Sequence, residues 1–131
     1  MTQDANAERR EIEKRLMSSV NAIINIGLDS VQWLDSQPLK NFTETLYELV
    51  TFHTWHGEIG DTVVGFEAVS AYMIVTGQLY EMLRDERFSD SYERIGDELD
   101  YITSLMQKII AEGYSKMYYD ERANKSNGQN S

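Results

Sequence analysis

The residues best equipped for chemistry in this chain are His53 and His56, its only two histidines. They stand three apart, so a helix places both on one face. A neutral imidazole can bind a metal, take up a proton or attack as a nucleophile, and its ordinary pKa lies close to physiological pH. A metal site needs further ligands, and without any cysteine these could only be carboxylates. Neither HExxH nor ExxH occurs, so the spacings of zinc proteases and di-iron bundles are missing. On these grounds no metal and no cofactor is expected, and a partly buried, hydrogen-bonded His53 is the simpler expectation. The lack of cysteine also excludes a disulfide framework and a thiol nucleophile. There is no Gly-rich phosphate loop and no GxSxG, and Ser18-Ser19 beside Val20 read as helix surface.

Two short stretches resemble sites of known families. His53-Thr54-Trp55-His56-Gly57 resembles the His-x-apolar-Lys-Gly motif of histidine-phosphotransfer domains, which are four-helix bundles of similar size. That resemblance implies a solvent-exposed His53 at mid-bundle as the phospho-accepting nucleophile. Gly57, one turn on, would then give a partner's active site room to approach. The chain departs from the motif twice. His56 stands where a Lys would help hold the phosphoryl group, and Glu58 brings a carboxylate to where a small residue is expected, the wrong charge beside a phosphoryl group. Glu58-Ile59-Gly60-Asp61 is similar to the ExxD half of the Mg²⁺ site of all-α nucleoside-triphosphate pyrophosphohydrolases. The ExxE half is not matched, because Glu44 and Glu48 are four apart, and hard Mg²⁺ needs a close carboxylate set. The plainer expectation is that Glu58 and Asp61 sit in a turn and cap the next helix.

Four helical segments must position these residues. The first runs from about Ala7 to Asp35, with apolar Ile12, Leu16, Val20, Ile23, Val31 and Leu34 mostly three or four apart. Gly27 marks a bend, and Ser36-Gln37-Pro38 is the stop, because the residue before Pro is pushed out of the helical region. The second starts at Pro38 or Asn41, where Asn41 and Glu44 could form a capping box. Leu39, Phe42, Leu46, Leu49 and His53 share one of its faces. The third, about Thr62 to Leu83, is apolar over much of its circumference. Such a helix is either central or has a partner outside the chain; a strand is the competing reading. The fourth opens at Asp90-Ser91-Tyr92-Glu93 and carries a heptad stripe: Tyr92, Ile95, Leu99, Ile102, Met106 and Ile109. It should end between Gly113 and Tyr119. The expected fold is all-α, a compact four-helix bundle formed by residues 1–119, with a disordered tail over the polar residues 120–131.

The charge is localised. Residues 41–100 hold 13 acids and 3 bases, a net of −10, while the rest of the chain is balanced at 9 and 9. Glu93, Asp97 and Asp100 are spaced i, i+4, i+7 and stack on one face of the fourth helix, opposite its apolar stripe. Such a balance disfavours direct nucleic-acid binding, which calls for Lys/Arg patches. No apolar run nears the roughly 20 residues of a membrane helix. The first six residues lack the basic and apolar parts of a signal peptide, and a cytoplasmic location is the expectation. An acidic face can simply keep a protein in solution, or it can dock on a basic partner. The second reading is preferred: a non-enzymatic inhibitor or adaptor that binds a larger protein with a basic surface, in the manner of small phage-type, nucleic-acid-mimicking inhibitors of nucleic-acid-handling enzymes. The contact residues expected are Glu93, Asp97 and Asp100, with Glu44, Glu48 and Asp61 as a second group. Tyr114, Met117, Tyr118 and Tyr119 could add an apolar part. Phosphotransfer through His53 and Mg²⁺-dependent pyrophosphohydrolysis are the alternatives, and a homodimer through the third helix is a further possibility.

Overall fold

The computed structural model describes residues 2–56 and 64–129, with side chains over 6–56 and 64–111. Helix α1 spans Thr2–Ile26 and stops at Gly27, whose φ of 113° only glycine adopts at no steric cost. The Gly27 N–H reaches the carbonyls of Ile23 at 3.2 Å and Ile24 at 3.1 Å and closes the last turn. The single helix expected from Ala7 to Asp35 is therefore two pieces. The second piece is a 3-10 turn, Val31–Asp35, capped by Ser30, whose Oγ accepts the Gln32 N–H at 3.1 Å. Trp33 within it is fully buried and donates its indole N–H to the Leu28 carbonyl at 3.3 Å.

Helix α2 spans Gln37–His56. Pro38 falls in its first turn, where a missing N–H costs nothing. The Ser36 Oγ caps this end by accepting the Leu39 N–H at 3.4 Å. The capping box expected at Asn41 does not form, because Asn41 is already inside the helix and accepts from the Gln37 side-chain amide at 2.9 Å. Helix α3 spans Phe66–Leu83 and follows Gly65. Its expected start at Thr62 and the Asp61 cap lie outside the described residues. A second 3-10 turn, Glu86–Ser91, begins where Asp85 Oδ1 accepts the Arg87 N–H at 2.9 Å. Helix α4 then spans Tyr92–Gln129. Its last buried residue in the described side chains is Ile109. It runs past the end expected between Gly113 and Tyr119, and the side chains of the tyrosine cluster Tyr114–Tyr119 and of the tail expected over 120–131 are outside the description.

Around the bundle the order of packed neighbours is α1, α2, α4, α3. Local contacts fix the directions. Arg15 of α1 meets Glu48 of α2, and Glu8 meets His56, so these helices are antiparallel. The Gln78 amide donates to the Leu28 carbonyl at 2.8 Å, while Glu13 reaches the Ala68 N–H at 3.4 Å, so α1 and α3 run the same way. The Tyr92 hydroxyl donates to the Asp85 carbonyl at 2.7 Å and ties the start of α4 to the end of α3.

One core joins all four helices. The heptad stripe of α4 supplies Ile95, Leu99, Ile102, Met106 and Ile109, all buried, with Tyr92 half-buried at its edge. Facing them are Leu16, Val20 and Ile23 of α1, Phe42, Leu46 and Leu49 of α2, and Val75, Leu79 and Met82 of α3. Each such side chain contributes about 1.5–3 kcal/mol by leaving water. The fold is the expected all-α four-helix bundle, and no strand occurs among the described residues. The third segment is helical but not central. Helix α3 packs on α1 and α4 from a corner of the bundle, and its outer face keeps Phe66 85 % and Met73 63 % exposed. Among the described residues no helix is long and apolar enough to cross a membrane.

Candidate functional site

His53 projects from the last turn of α2 into the end of the bundle where α1 and α3 begin. It is fully buried, and neither ring nitrogen has a hydrogen-bond partner. The Phe52 ring meets it edge-on at 5.4 Å. Burial is the main cause that lowers its pKa to about 4, with the positive charge of Arg9 and the neighbouring His56 adding to it. Close by, Arg9 Nη1 pairs with Glu13 Oε2 at 2.8 Å, and this ion pair packs against the bare backbone of Gly65, where a Cβ would collide with it. His56 is half-buried, stacked on Phe52 at 4.3 Å and 3.7 Å from Glu8. An incoming phosphoryl group must reach an imidazole nitrogen, so the buried His53 is not the exposed nucleophile that the resemblance to phosphotransfer domains implied. The burial was legible in the shared face of Leu46, Leu49 and His53; the missing hydrogen bonds were not.

The carboxylates expected to act separate into three places. Glu58 and Asp61, which carry the pyrophosphohydrolase resemblance, lie outside the described residues. Glu44 and Glu48 line a shallow groove between α1 and α2 with Arg15, Ser18 and Asn41. Glu48 takes a bidentate pair from the Arg15 guanidinium at 2.8 and 2.7 Å. That hydrogen bond, against some desolvation, holds its carboxyl below the usual range. Its charge is spent within the chain, and only Glu44 of this pair is free of an ion pair among the described residues. Among those residues no group of three or more His, Asp or Glu side chains is placed to hold a metal ion.

Glu93, Asp97 and Asp100 remain. All three are exposed on the outward face of α4, and none has an ion-pair partner among the described residues. Exposed Asp90 precedes the row in the 3-10 turn before α4, and exposed Lys108 follows Asp100 by about two turns. Glu98 lies half-buried on the flank of α4, beside its apolar stripe. Its pKa is raised by burial and by Asp97, while Arg94 opposes the shift. Arg94 itself is turned away, donating to the Leu34 carbonyl at 2.9 Å and pairing with Asp35.

Sequence reasoning missed two tyrosines here. Tyr101 is 46 % exposed and follows Asp97 by one turn, on the same side of α4 as Arg94. Tyr47 of α2 is 57 % exposed and lies on the flank opposite Thr45, away from the α1 contacts and toward α4. An exposed aromatic beside a run of acids was the available signal. Glu44 and Glu48 of the second acidic group do not join this surface, since they line the groove between α1 and α2. No protein-family model, no curated protein and no solved structure matches the chain.

Proposed function

We propose that this protein is a non-enzymatic inhibitor or adaptor that docks on a basic surface of a larger protein through the outward face of α4. The observation that carries this reading is the row Glu93, Asp97 and Asp100, exposed and without internal counter-charges among the described residues, with Tyr101 at its edge. Unpaired carboxylates on a rigid helix raise the rate of encounter with a basic partner and disfavour acidic ones. Tyr101 offers contact area with few rotors to immobilise. A partner that normally binds nucleic acid is the natural class, because its basic channel expects a row of negative charges.

The test is affinity capture from the host's lysate after nuclease treatment, run in parallel with three baits. Wild-type chain should retain one basic protein that leaves at raised salt. The variant Glu93→Lys/Asp97→Lys/Asp100→Lys should lose it while its helical circular dichroism is unchanged, because the three side chains are outside the core. Glu44→Lys should retain it. Equal retention by the triple variant would remove the surface assignment.

A further inference from the structure

We draw no further inference here: the strongest candidate, the exposed apolar stripe of Phe66, Met73 and Tyr80 along the outer face of α3, carries none because nothing in the structure shows what covers it.

Discussion

His53 is the residue whose type promised most, and its environment decides against that promise. An imidazole sealed among Phe52, Arg9 and the core is held neutral, with its pKa lowered to about 4 by burial first and by nearby positive charge second. In the unfolded chain a histidine titrates near pH 6.5, at roughly its ordinary value. Between pH 6.5 and 4 the unfolded state therefore binds more protons than the native state, and stability falls as pH falls through that window. Below it the loss is complete, and it amounts to on the order of 1–3 kcal/mol. His53→Leu removes this titration and also removes two buried nitrogens that have no partner. Urea unfolding of the two proteins at pH 7 and pH 5 checks it. The variant should be within about 1 kcal/mol of wild type at pH 7 and gain on it at pH 5. A constant difference at both pH values would mean that His53 is protonated or solvated in the native state.

At the scale of elements, periodicity carried most of the fold, and its failures have physical causes. The heptad of α4 was legible because every apolar residue in it had to face one core. The break at Gly27 was hidden because a 3-10 turn also sets Val31 and Leu34 three apart, so the stripe continues across a chain reversal. Only the glycine itself signalled the end. The Arg15–Glu48 pair was not legible at all, since it joins residues 33 apart through the packing of α1 on α2. For α3, the sequence announced an excess of apolar surface but not which side would be left uncovered. That depends on its corner position between α1 and α4. Gly77 in α3 tests helix propensity alone, since a Cβ there would meet no atom within 4 Å. Gly77→Ala should stabilise the folded chain by about 0.5–1 kcal/mol. Thermal unfolding reads the effect, and a midpoint that does not rise would mean that the glycine has a part in the fold beyond its propensity.

On the scale of the whole molecule, the net charge of −10 is carried by residues 41–100, and the exposed row Glu93, Asp97 and Asp100 on α4 belongs to that stretch. In the proposed docking this row meets a basic partner by attraction between opposite charges, which screening weakens. Raising sodium chloride from about 0.05 to 0.5 M shrinks the screening length several-fold, from beyond 10 Å to well under it. Capture of the basic partner should therefore weaken over that range. Reversing Glu93, Asp97 and Asp100 to Lys removes the charges on which screening acts, so whatever the triple variant still retains should depend far less on salt. Binding of both proteins at the two salt concentrations measures this. If wild type holds its partner equally at both, the contact is not electrostatic, and the α4 row is not its seat.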